Sequence, residues 1–314
     1  MSTTSHIHRG ALVVAATVAT LAFALAAPAR ASYAWPLKPF HQQHAVRGFF
    51  GDPRVAGNDE AHGTIHFGID ISAPNGTPVY ATVDGIASIH PLHRDTVIVS
   101  ARAGVAHEYW HVIPAIVRGQ RVVAYKTVVG RVETPWAHVH FSEMCGGRYV
   151  NPIRPGALSP YRDTTAPSVG RIVFEHAGAV AGNRLSGSGD LVAEAFDFPS
   201  LAPPGAWCDA PLTPALVQWR LIGLRGLRGT TSGWHVAADF RGFLPTWFGG
   251  IYARGTRQNH PDLNHRLGRY RFLLAHGFDT RSLPNGAYRL VVRALDTRGN
   301  VGASSETFTI ANGV

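Results

Sequence analysis

Apolar and polar residues alternate with a period of two along most of this chain. After residue 31 no long stretch keeps the 3.6-residue period of a helix. β-Branched residues fill many of the alternating positions, and Gly, Pro and Asp punctuate the joins. The pattern predicts strands at 67–71, 78–83, 85–90, 96–101, 105–111, 121–123, 128–132 and 137–143. A strand-and-turn lead-in precedes them from Trp35 to Pro53, and a polar loop is expected from Gly51 to Gly63. Such a series makes an antiparallel β domain with an edge to manage and a groove to line. A second series is expected at 169–174, 189–196, 216–221, 234–237, 270–274 and 287–294. Ala294 to Val301, followed by Glu306 to Ile310, looks like the closing hairpin of an immunoglobulin-like β-sandwich. Asp163-Thr-Thr-Ala-Pro167 is a linker between the two series, and 203–205 and 243–269 are insertions in the second. The fold class is all-β.

The first 31 residues break this pattern. His6, His8 and Arg9 give a basic start, Ala11 to Ala27 is an apolar run, and Ala29-Arg30-Ala31 fits a small-x-small cleavage site. The segment is expected to be a secretory signal, leaving Ser32 first. The alternative is an uncleaved anchor, since the run is near the lower limit for a span. No later segment is long and apolar enough to cross a membrane. The rest, roughly 280 residues, suits two domains, expected at 32–160 and 168–314 with 161–167 between them.

Charge and cysteines add a little. Residues 32–160 carry 11 Lys and Arg against 9 Asp and Glu, and residues 161–314 carry 16 against 11. A basic exported protein suits anionic wall polymers or lipid surfaces, or simply has a solvated surface. Nucleic acid is not indicated, because no binding motif is present and the basic residues are scattered. Cys145 and Cys208 are open to pairing after export, and neither is placed as a nucleophile.

The chemistry concentrates between His66 and His140. His138 and His140 are two apart, so on a strand both imidazoles face one side while Val139 and Phe141 face a core. His66 and Asp70 flank a strand entry or bend, with Gly68 between them. A catalytic zinc site takes three N or O ligands and keeps a position open, and two spare histidines beside it serve acid–base chemistry. The chain has 17 histidines, and a lone histidine on a strand is usually structural. The His-x-His pair gains weight from His-x-x-x-Asp upstream and Tyr-x-His between. His62, His90, His93 and His107 are expected to be surface or loop residues, with His62 a candidate for the groove edge. His235, His260, His265 and His276 show no ligand spacing, so no second metal site is expected from them. Trp110 and Trp136 flank the spare histidines as candidate groove residues.

At these residues the chain resembles the lysostaphin-type (LytM-like) zinc endopeptidases of cell-wall peptides. His66-Phe-Gly-Ile-Asp70 with the segment to Ala81, Asp84-Gly85, Tyr109-Trp-His111 and His138-Val-His140-Phe are similar to that family's motifs. The resemblance runs from about Trp35 to Pro155. It implies that His66, Asp70 and His140 hold Zn2+ and that His111 and His138 are the catalytic pair. It implies an antiparallel β-sheet peptidase domain, followed here by the sandwich, in an exported enzyme that hydrolyses peptide bonds in peptidoglycan. The loop before His138 is shorter than the family's usual one, which leaves the shape of the groove open. Two other readings stand beside this one: a non-catalytic wall-binding or hydrolase-regulating module of the same fold, and a structural wall protein.

Overall fold

The computed structural model describes residues 32–55, 63–227 and 233–313. The expected signal segment, 1–31, and His62 lie outside them. Where apolar and polar residues alternate, strands form. In the first half these are β1 (Val46–Gly48), β2 (Pro53–Val55), β3 (Gly63–Ile65), β4 (Ile69–Ser72), β5 (Pro78–Tyr80), β6 (Gly85–Ile89), β7 (Thr96–Ser100), β8 (Val105–Trp110), β9 (Val112–Pro114), β10 (Arg121–Val122), β11 (Val128–Val132), β12 (His138–Cys145) and β13 (Arg148–Val150). The main sheet is antiparallel in the order β1-β4-β12-β8-β7-β6-β10, with β13 beside β12. A small sheet, β5-β11-β9, completes the scaffold.

Strand β12 is the pivot. It pairs with β4 on one side, placing His140 opposite Asp70 and Phe141 opposite Ile69, and with β8 on the other, placing His140 opposite Trp110. Directly opposed side chains lie about 4.5–5.5 Å apart at Cβ, so the register itself brings His140 to Asp70. Ile69, Ile71, Tyr109, Val139 and Phe141 face the other way and are wholly buried.

The second half contains β14 (Ser168–His176), β15 (Ala179–Val180), β16 (Arg184–Leu185), β17 (Ser188–Phe196), β18 (Leu216–Gly223), β19 (His235–Asp239), β20 (Arg271–Asp279), β21 (Gly286–Leu295) and β22 (Val301–Ile310). They form two sheets, β15-β14-β17-β20 and β16-β22-β21-β18-β19. The β21–β22 hairpin is the expected closing pair, and β16 runs parallel to β22. The two halves share one continuous apolar core. Backbone and side chain cross the seam: Thr213 N–H donates to Asp52 Oδ1 at 2.8 Å, the Tyr252 hydroxyl to the Gly51 carbonyl at 2.6 Å, and Asn151 Nδ2 to the Phe240 carbonyl at 2.8 Å.

Three sequence expectations change. The stretch from Gly51 to Gly63 is not all loop, because β2 and β3 pair as an antiparallel hairpin; three-residue arms are too short to show a period. Cys145 and Cys208 are free thiols and do not pair. His107 is not a surface residue. It is 1% exposed, lies 2.6 Å from Thr82 Oγ1 and packs against Tyr33 and Phe141, because its face of β8 lies under the lead-in segment rather than in solvent. His90 and His93 do lie at the surface, flanking Trp110.

The C-terminal end of β12 is anchored by an ion pair. Arg154 donates to both carboxylate oxygens of buried Glu143, at 2.7 and 2.9 Å, and the Tyr33 hydroxyl adds a third bond at 2.7 Å. Burial works to raise the Glu143 carboxyl, but the hydrogen bond and charge of Arg154 outweigh it and hold the pKa below its usual value. A depressed carboxylate pKa contributes stability above the unfolded-state value of about 4.3, and that contribution is lost as pH falls through the folded-state value. Glu143→Gln leaves Arg154 buried without its counter-charge and is expected to cost about 3 kcal/mol at pH 7. The gap to wild type should narrow as pH drops below about 4. Urea unfolding at the two pH values checks both; an unchanged midpoint at pH 7 would refute the anchoring role.

Candidate metal centre

Three ligand atoms converge from β12, β4 and the turn before β4. His66 Nε2 lies 2.7 Å from His140 Nδ1, and Asp70 Oδ1 lies 3.1 and 3.0 Å from those two nitrogens. The far side of each ligand is already engaged. His66 Nδ1 lies 2.7 Å from the Phe49 carbonyl and His140 Nε2 lies 2.8 Å from Ser142 Oγ. A carbonyl only accepts, so His66 carries its proton on Nδ1 and turns the Nε2 lone pair inward. Arg54 Nη2 donates to Asp70 Oδ2 at 2.7 Å, leaving Oδ1 free. This is the outer-shell pattern that orients metal ligands.

Burial keeps both imidazoles neutral. Burial, with help from His66, pushes His140 down to about 3, and burial with Arg54 lowers His66. For Asp70 burial acts upward, but the imidazoles of His66 and His138 and the Arg54 guanidinium hold it well below the carboxylate range. Two neutral imidazoles and one carboxylate facing one point fit a divalent cation. These three residues form a group able to hold a metal ion.

Gly68 makes the convergence possible. A Cβ there would stand 2.4 Å from the Phe141 carbonyl oxygen and 2.7 Å from His140 Nε2, so any side chain would push the turn off β12.

Two more imidazoles stand beside the point. His138 Nε2 is 3.5 Å from Asp70 Oδ1, and burial drops its pKa to about 3. Arg47 Nη2 donates to the Trp136 carbonyl at 2.7 Å and lies 2.6 Å from His138 Nδ1. The same Nδ1 lies 2.8 Å from the Trp136 carbonyl; a guanidinium only donates and a carbonyl only accepts, so the two contacts favour opposite tautomers of His138. The His111 ring lies 4.9 Å from that of His138 and stacks on Trp136 at 4.0 Å. Its Nδ1 is 3.3 Å from Asp95 Oδ2, its backbone is left-handed at φ 63°, and burial lowers its pKa.

All five histidine and aspartate positions singled out in the sequence thus meet at one cleft of about 440 Å3. Trp136 lines it, whereas Trp110 packs behind, its indole N–H bonded to Glu108 at 2.9 Å. Sequence reasoning missed Arg47, Asp52, Arg54 and Asp95. It also missed an entire wall: Trp207, Gln258, Asn259, His260 and Asp262 reach the cleft from the second half. Trp207 bonds through its indole N–H to Asp262, and Arg47 lies 4.5 Å over its ring. Residues 258–262 lie in the insertion at 243–269 and Trp207 just past the one at 203–205, and the irregular composition of these stretches was the one available signal.

The groove thus carries a group of two histidines and one aspartate able to hold a metal ion, with two further imidazoles beside it. Residues 64–152 match Peptidase family M23, in line with the lysostaphin-type (LytM-like) resemblance of the motifs. Curated relatives include the DD-carboxypeptidase/endopeptidase Mpg of Neisseria meningitidis and of Neisseria gonorrhoeae. Each is 31% identical over 104 residues, covering 31% of this chain and 24% of the relative. The chain thus spans about a quarter of the length of the curated relatives it matches. Solved structures with a similar part include the catalytic domain of the prophage-encoded M23 protein EnpA from Enterococcus faecalis, with 25% identity, 37% of this chain, 95% of that chain and a TM-score of 0.30. Another is the catalytic domain of the antimicrobial peptidase lysostaphin from Staphylococcus simulans, with 19% identity, 35% of this chain, 96% of that chain and a TM-score of 0.28.

Proposed function

We propose that this chain is an exported zinc metalloendopeptidase that hydrolyses peptide bonds in peptidoglycan, with residues 32–160 as the peptidase domain and 168–314 as an immunoglobulin-like sandwich that walls its groove. The observation that carries the reading is the convergence of His66 Nε2, Asp70 Oδ1 and His140 Nδ1, with outer-shell bonds behind them and an open cleft in front. Two imidazole nitrogens and one carboxylate form a donor set that suits zinc, and the match to Peptidase family M23 supports the same choice. The Mpg relatives are named as DD-carboxypeptidase/endopeptidases, which supports a peptide substrate.

Bound between His66, Asp70 and His140, zinc supplies Lewis acidity and an activated water for attack on a peptide carbonyl. The residues around it divide the remaining work. His111 is oriented by Asp95 through Nδ1, which leaves Nε2 free to take a proton. His138, its Nδ1 between Arg47 and the Trp136 carbonyl, turns Nε2 towards the same point, where in its Nε2–H form it would donate to the developing oxyanion. Trp136 and Trp207 offer apolar faces to a substrate chain, and Asp262 and Arg47 offer charges for its termini or side chains.

The test is zinc content of the full mature protein beside hydrolysis of purified peptidoglycan. About one zinc per chain with release of new amino groups is the expected result. Zinc bound without cleavage of any wall preparation would instead support the binding or regulatory module, a reading favoured by the wall that the second half builds across the cleft. Absence of zinc would remove the proposal.

A further inference from the structure

Away from the histidines, three carboxylates meet at the seam between the halves. Asp163 lies in the segment leading to β14, Asp197 follows β17 and Asp296 follows β21. They are 6%, 1% and 6% exposed, and one oxygen from each lies within 4.8 Å of the others. Asp163 accepts from Ser200 Oγ at 2.7 Å, Thr165 N–H at 3.0 Å and the Tyr161 hydroxyl at 3.1 Å. Asp296 accepts from the N–H groups of Arg298 and Asn300 and from the Asn300 side-chain amide, at 2.8, 2.8 and 2.7 Å. Asp197 differs. Its Oδ1 accepts from Phe198 N–H at 2.9 Å, while its Oδ2 is buried with no hydrogen-bond partner. A cavity of about 10 Å3 adjoins all three carboxylates, about the space one water or small ion fills. The nearby Arg298 guanidinium lies over the Tyr161 ring at 4.9 Å, and one arginine leaves three carboxylates well short of neutrality.

We propose that Asp163, Asp197 and Asp296 bind a calcium ion that fastens the linker to the second half at the seam. The donor set is oxygen alone, which selects hard cations over zinc. Two oxygens each 2.3–2.6 Å from one calcium lie at most about 5 Å apart, which matches the spacing here. Magnesium keeps several waters in a strict octahedron, and the cavity has no room for them. Without a cation, burial and then the charges of Asp163 and Asp296 push the Asp197 carboxyl up to about 8. The three ligands come from the linker, from the turn after β17 and from the β21–β22 turn, so one ion ties three distant segments together.

The ion binds the native chain and not the unfolded one, so calcium should raise the melting temperature. The full mature protein, with one equivalent of zinc held constant in chelator-treated buffer, is melted with and without 2 mM calcium chloride. A rise of about 5 °C is expected, together with one calcium per chain by calorimetric titration. Asp197→Asn keeps the shape and removes the repulsion. It should melt no lower than wild type without calcium and should lose both the shift and the heat of binding. His140→Ala, which leaves the carboxylates untouched, should keep the calcium shift, so failure here and failure of the zinc site are separable. No rise in wild type, an equal rise in Asp197→Asn, or an equal rise with magnesium would overturn the proposal.

Discussion

His140→Ala is expected to release zinc and reduce peptidoglycan hydrolysis to background, both from one substitution. The reason is geometric. His140 Nδ1 is within 3.0 Å of both His66 Nε2 and Asp70 Oδ1, and the register of β12 against β4 fixes that meeting. Two remaining ligands, one of them an anchored carboxylate, make too few bonds for a stable three-ligand zinc site. The neighbours Val139 and Phe141 are wholly buried, so the strand should keep its place, and far-ultraviolet circular dichroism should stay close to wild type. Zinc retained at one per chain with activity intact would show that the ligands lie elsewhere.

A different outcome is expected at His111. His111→Asn should keep one zinc per chain while lowering turnover by about 10²–10⁴. Asparagine is chosen because the residue has a left-handed backbone at φ 63°, which asparagine tolerates better than alanine does. The ring touches the site from the side, held by Asp95 and stacked on Trp136, and none of its atoms joins the His66–Asp70–His140 cluster. Zinc analysis with kcat measured on a defined wall peptide separates the two residues. Equal loss of metal would make His111 a ligand, and unchanged turnover would remove it from catalysis.

The pair of substitutions bears on the wall contributed by the second half as well. Trp207, Gln258, His260 and Asp262 face the five site residues across one cleft, so a ligand held there would meet both halves. The seam beneath is held by Asp52, whose carboxylate accepts from Phe49 N–H at 2.9 Å and Thr213 N–H at 2.8 Å. Burial raises its pKa to about 7.

Strand existence and the chemistry-bearing residues were legible along the chain, because both depend on short-range rules. A period of two marks a strand with one buried face, and it located β6, β7, β8, β11 and β12 to within two residues of their ends. The same rule put His138 and His140 on one side and Val139 and Phe141 on the other. Motif spacing then named His66, Asp70 and His111. Short irregular pairings such as β2 with β3 left no period to detect. What the tertiary structure alone decided is everything that depends on non-local contact. It set the register that joins Asp70 to His140, and it brought Arg54, Arg47 and Asp95 behind the five. It buried His107 under Tyr33, drew the wall from residues 207 and 258–262, and gathered Asp163, Asp197 and Asp296 at the seam. These meetings join segments tens to hundreds of residues apart, and no local periodicity encodes which segments meet, because side-chain packing and strand pairing choose them only once the whole chain has folded.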